Sequence, residues 1–127
     1  INNSKSTNIN STISSIKNYD NIYLILGGIA KEENFKLISK FKNRIICIYV
    51  FGTSASFIQD KLRNSLQVKK FKSLKLLLQK MFKDIKNINV SSNILFAPAC
   101  SSYDQYKNFE HRGKEFTKLI NEQIKKL

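Results

Sequence analysis

Cysteine is scarce in this chain. Cys47 and Cys100 are the only two, too few for a disulfide framework and without the spacing of a metal motif. One falls in the middle of an apolar stretch and the other in a loop after a different one. Both are therefore expected to remain reduced thiols, with no bond between them, in a cytoplasmic protein. Long apolar runs are missing as well: none approaches the roughly 18–20 residues that a membrane helix needs. The N-terminus is polar and rich in Asn and Ser, with no secretory signal pattern. It opens on Ile1 rather than methionine, as expected of a piece of a longer protein or a processed end. Neither Gly-x-Gly-x-x-Gly nor Gly-x-x-x-x-Gly-Lys-Ser/Thr occurs. This argues against dinucleotide binding or P-loop ATPase chemistry by the chain alone.

Acidic residues are also few, 9 against 22 Lys and Arg, for a net charge of +13. Such an excess can be the footprint of a nucleic-acid module, and seven lysines fall within residues 69–86. The lysines are spread over nearly every predicted helix, however, with no RNP-type aromatic motif and no zinc spacing. Solvated helix faces account for them better than a binding stripe, and no nucleic acid and no membrane are expected as partners. A basic α/β module for nucleic acid or another polyanion remains the alternative. In either reading the field attracts anionic substrates at low salt.

The 127 residues are enough for one domain with a sizeable core, expected to span 1–127. Apolar periodicity predicts an alternation of strands and helices. A helix over about 10–17 is capped by Asn8 or Ser11. A strand at 21–26 is apolar on both faces, as in the centre of a parallel sheet, and ends at Gly27-Gly28. A helix over 33–42 follows, with Phe35, Leu37, Ile38 and Phe41 inward. A second strand covers 45–50, closed by Gly52. A helix over 54–64 turns Phe57, Ile58 and Leu62 inward, and a short peripheral strand occupies 67–71. Ser73 caps a helix reaching about residue 86, with a stripe of Leu74, Leu77, Leu78, Met81, Phe82 and Ile85. A polar loop leads to a strand at 93–97, then a turn of small residues at 98–102. The last helix is expected to open at Asp104, with Gly113 as a candidate break. This order implies an α/β fold: a Rossmann-like three-layer domain with a mostly parallel sheet and helices on both faces.

Residues 93–104 organise the chain. A buried strand, a loop of small residues and a helix start together make a candidate anion site, because the first turn of a helix has spare N–H groups. An ordinary strand-to-helix turn with a serine cap has the same pattern.

The wording of that stretch is more specific. Pro98-Ala99-Cys100-Ser101-Ser102-Tyr103-Asp104-Gln105-Tyr106, followed by Asn108-Phe109-Glu110-His111-Arg112-Gly113 and Phe116, resembles the last motif of the Mur ligases. Asn3-Ser4-Lys5-Ser6-Thr7-Asn8 resembles their entry into the final domain, and Gly27-Gly28-Ile29-Ala30-Lys31 their Gly-Gly-x-x-Lys loop. The resemblance spans the whole chain and implies a C-terminal, amino-acid-binding domain, with the UDP-binding and ATPase domains elsewhere. The branch it fits adds D-glutamate to UDP-N-acetylmuramoyl-L-alanine with ATP and Mg2+, as a monomer, in peptidoglycan precursor synthesis. The resemblance assigns Lys31, Ser102, Tyr103 and Phe109 to D-glutamate, and Asn3, Lys5 and Thr7 to the nucleotide phosphates. No catalytic residue and no metal ligand is assigned within the chain. Asn3 stands where the family has an acidic residue and brings no charge. Tyr103 replaces an aliphatic residue, and Ala30 stands where glycine often precedes the lysine. His111 shows no partner pattern and reads as a surface residue.

Overall fold

Ile22–Gly27 (β1) and Ile45–Phe51 (β2) carry apolar side chains on both faces, and the structure, a computed structural model, buries almost all of them. It describes residues 1–5, 7–28, 34–86, 91–100 and 102–126. With Val68–Phe71 (β3) and Asn93–Ala99 (β4) they form a four-stranded sheet in the order β3-β2-β1-β4, every neighbouring pair parallel. Alternate residues of each strand face opposite ways. Leu24, Leu26, Ile48 and Val50 meet Ile9–Ile16 (α1), a 3-10 helix at Phe35–Arg44 and Ala55–Leu62 (α2). Tyr23, Ile25, Tyr49 and Phe96 meet Leu74–Ile85 (α3) and Phe109–Lys125 (α4) on the other face. The expected three-layer α/β fold is present. Among the described residues no helix is long and apolar enough to cross a membrane. No disulfide joins Cys47 to Cys100.

Several local expectations are corrected. The segment predicted as a helix over 33–42 is 3-10 in its described part, Phe35–Arg44, with a non-helical Phe41. Its fully buried residues, Phe35 and Ile38, are three apart and share one face of a three-residue turn. Phe57 is 43% exposed; it packs its ring against Phe35 at the rim instead of pointing inward. The strand predicted at 93–97 runs on through Pro98 to Ala99. Ile25 pairs with Phe96 and Gly27 with Ala99, so β4 carries one extra residue there, and a proline fits where the ladder is already broken. The last helix begins at Phe109, not Asp104. Asn108 takes the cap, its side chain accepting from the His111 N–H at 2.8 Å. Gly113 does not break this helix.

Asp84 ties α3 to the sheet. Its Oδ2 accepts from the Tyr49 hydroxyl at 2.7 Å and from Lys69 Nζ at 2.8 Å, and Lys80 Nζ lies 3.2 Å from Oδ1. Desolvation pushes the Asp84 carboxyl up, but the hydrogen bonds from Lys69, Tyr49 and Lys80 outweigh it and hold the group below its ordinary value. The stabilisation is therefore full above the unfolded carboxyl value of about 3.9 and lost as pH falls through the lower folded one. Asp84→Asn is expected to lose about 1.5–3 kcal/mol at neutral pH. Urea unfolding at stepped pH should show the gap from wild type closing below about pH 3.9.

Candidate functional site

Strand order places the site. β1 leads to β2 on one side, while β4 lies on the other, so the chain connections diverge between β1 and β4. Open parallel sheets bind ligands outside the carboxyl ends of strands at such a point. Gly27-Gly28 leaves β1 there, and Cys100 and Ser102 leave β4 beside it. Residues 1–3 run along the outer side of β4: Asn2 bridges Phe96, and the Asn3 N–H donates to the Phe96 carbonyl at 2.7 Å. The three stretches expected to carry site residues thus start from one edge of the sheet.

The candidate residues do not all meet. Asn3, Lys5 and Phe109 line one cleft of about 520 Å3, together with Asn2, Gly113 and Thr117. Phe109, assigned to the amino acid by the resemblance, therefore shares a cleft with two residues assigned to the nucleotide. Asn3 and Lys5 also border a polar cleft of about 390 Å3 against Ser11, Ser14, Ser15 and Asn18. The Asn3 amide donates to Ser15 Oγ at 2.7 Å, so this side chain is engaged within the protein. Thr7 is half-buried and lines neither cleft, directly before the α1 cap Asn8. Ser102 is buried, and Tyr103 beside it is 71% exposed. Lys31 lies outside the described residues. Ser102 does not cap a helix as expected; its carbonyl accepts from the Gln105 and Tyr106 N–H groups in a separate turn seven residues before α4 begins. The first-turn N–H groups of α4 stand at Asn108, so the anion site expected at Ser102 lacks the helix start on which it was built. His111 is on the surface but does have partners: its Nδ1 accepts from the Lys107 N–H, and its ring meets Tyr106 edge-on.

Two side chains that the sequence reading left without a role order this edge. Arg112 is fully buried on the inner face of α4. Its Nε donates to Ser4 Oγ at 3.0 Å and its Nη2 to the Ser4 carbonyl at 2.8 Å. Its Nη1 reaches the Gly27 carbonyl at 3.2 Å and the Cys100 carbonyl at 2.7 Å. The guanidinium sits over the Phe96 ring, 5.9 Å from its centroid. Burial lowers its pKa to about 10, which leaves it charged at neutral pH. The signal was present in sequence: Arg112 falls on the apolar stripe of Gly113, Phe116 and Leu119, where a charge is out of place. Asp104 is the second. Its Oδ2 accepts from the Thr53 N–H at 2.9 Å, joining the loop after β4 to the loop after β2. Its Oδ1 is buried without a hydrogen-bond partner among the described residues.

No family model matches the chain, but curated relatives do. A UDP-N-acetylmuramoylalanine--D-glutamate ligase of Rickettsia prowazekii is 40% identical over 119 residues, covering 93% of this chain and 27% of the relative. Ligases of the same name from Prochlorococcus marinus and Buchnera aphidicola are 38% and 41% identical, over 98% and 96% of this chain and 28% of each relative. Over nearly its whole length the chain is similar to these ligases. It spans little more than a quarter of the length of the relatives it matches. The name of these relatives agrees with the resemblance carried by residues 3–8, 27–31 and 98–116.

Among the described residues no group of three His, Cys, Asp or Glu side chains could hold a metal ion. The cleft at this sheet edge carries two lysines, Lys5 and Lys114, beside one carboxylate, Glu110. Its lysines suit carboxylates and phosphates.

Gly52 makes the Asp104 contact possible. Its φ is +85°, and an added Cβ would lie 2.6 Å from Asp104 Oδ2 and 2.9 Å from the Gly28 nitrogen. Gly52→Ala is expected to destabilise the protein by about 1–3 kcal/mol. Chemical unfolding would measure the loss. A variant as stable as wild type would contradict this account of the loop.

Proposed function

We propose that residues 1–127 form the C-terminal, amino-acid-binding domain of an ATP-dependent ligase that joins D-glutamate to UDP-N-acetylmuramoyl-L-alanine. The observation that carries this reading is 38–41% identity, over nearly the whole chain, to ligases of that name. The edge between β1 and β4 supports it, because it brings the three family-like stretches together. The reaction would run in the cytoplasm, where the nucleotide-linked precursor is made, and in a monomer.

In such a ligase ATP phosphorylates the alanine carboxylate, and the amine of D-glutamate displaces the phosphate to form the amide. This chemistry depends on positioning and on neutralising negative charge. In the proposed arrangement Lys31 supplies a fixed positive charge to a D-glutamate carboxylate. Ser102 offers a hydroxyl and Tyr103 shapes the entrance. Phe109 forms a wall against water. Lys5 and Thr7 face the nucleotide phosphates, and Asn3 would bring a hydrogen bond without charge. Mg2+ would be held by the remaining three quarters of the enzyme, since the described donors here do not fit it.

The direct test is phosphate release from ATP by the full-length protein, supplied with UDP-N-acetylmuramoyl-L-alanine. Release that depends on D-glutamate is expected; its absence would overturn the reading. Residues 1–127 alone are expected to give no turnover. Lys31→Ala in the full-length enzyme should remove a charge-assisted contact of about 1.5–3 kcal/mol, raising KM for D-glutamate roughly ten- to hundredfold with a smaller effect on KM for ATP. Steady-state kinetics with each substrate varied in turn would check this split.

A further inference from the structure

We propose that Arg112 is a positioning residue: one buried guanidinium that sets the three loops of the substrate edge relative to one another. The proposal rests on the ligase reading for its kinetic test and on geometry alone for its structural one.

Among the described residues no carboxylate accepts a hydrogen bond from Arg112. Its four bonds end on Ser4, twice, on Gly27 and on Cys100. Asp104 lies near enough to favour the charged form but accepts none of these bonds. Burying a charge with no carboxylate in direct contact is costly, and an apolar side chain of similar volume usually stabilises a core at least as well. Packing alone therefore does not account for an arginine here. What the guanidinium adds is a planar fork whose N–H groups fix several acceptors at defined angles. Each acceptor is close in sequence to candidate site residues. Ser4 stands between Asn3 and Lys5, Gly27 begins the stretch leading to Lys31, and Cys100 precedes Ser102 and Tyr103. Phe109 is one helical turn from Arg112, and its carbonyl accepts from Ser4 Oγ at 2.6 Å. Gly113 completes the contact: a Cβ there would lie 3.1 Å from Ser4 Cβ, so a side chain at 113 would force Ser4 to give by a few tenths of an ångström.

The simpler account is that Arg112 only satisfies carbonyls stranded at strand ends. The two accounts differ in what a substitution moves. In the full-length protein, Arg112→Lys keeps the charge and loses the fork. Leu119→Ala, on the same helix two turns further on and a member of the hydrophobic core, serves as a control that removes core packing. Amide hydrogen exchange without substrates is the first readout. Arg112→Lys is expected to speed exchange at least tenfold in 2–5, 28 and 102–103 together, while 68–85 stays as in wild type. In steady-state kinetics it should raise KM for D-glutamate and for ATP together by tenfold or more, with a smaller fall in kcat. Leu119→Ala should lower the melting temperature and leave both KM values within twofold. If Arg112→Lys behaves like Leu119→Ala, or speeds exchange evenly throughout, the proposal is overturned. Should Arg112→Lys not fold, Ser4→Ala removes a single acceptor. It should then loosen 2–5 alone, and unchanged exchange there would equally overturn the idea. If wild type shows no D-glutamate-dependent turnover, the ligase reading fails, and the exchange experiment still decides the role of Arg112.

Discussion

A positive charge taken out of water with no carboxylate among its hydrogen-bond acceptors has to be surrounded by dipoles, and the order of this sheet edge follows from that requirement at Arg112. Three carbonyls and one hydroxyl point at the guanidinium, and the Phe96 ring lies beneath it. Those groups sit at the ends of β1 and β4 and in the segment laid along β4. Satisfying one side chain therefore fixes where three loops begin. The neighbouring tie, from Asp104 to the Thr53 N–H, extends the same edge to the end of β2.

The opposite face of the sheet is simpler in kind. Aliphatic residues of α1, the 3-10 helix and α2 cover Leu24, Leu26, Ile48 and Val50, with no ionic group among the buried members. That face does carry a buried polar contact, from the Thr12 hydroxyl to the Ala97 carbonyl at 2.8 Å, but the charged anchors lie on the α3–α4 side. There Asp84 anchors α3 to Tyr49 and Lys69, and Arg112 anchors the loops to α4. The division suits a domain that has to be rigid below and exact at one rim.

Much of the fold was legible because its central strands are apolar throughout, and because Ser73 and Asn8 are strong caps that the structure uses as expected. Reading failed where local chemistry had two outlets. Asp104 looks like a helix cap, yet its carboxylate reaches across to Thr53, and Asn108 takes the cap instead. Pro98 reads as a strand breaker, but a bulge accommodates it within β4. For the site, periodicity could mark Arg112 as misplaced on an apolar stripe, but it could not name acceptors 12, 85 and 108 residues away. Motif wording located the three loops; only the strand order, β1 next to β4, brought them to one edge.

That strand order also has a consequence for assembly in time. β1, β2 and β3 can pair in the order of synthesis, whereas β4 must cross the sheet to reach β1. The clamp at Ser4 then closes a loop of 108 residues. Contacts so remote carry a large closure entropy and are late to form. A chain halted after β3 could hold an ordered half-sheet and still lack the edge that β1, β4 and the 1–5 segment form together. That edge is complete only when α4 has docked and Arg112 has met Ser4, Gly27 and Cys100.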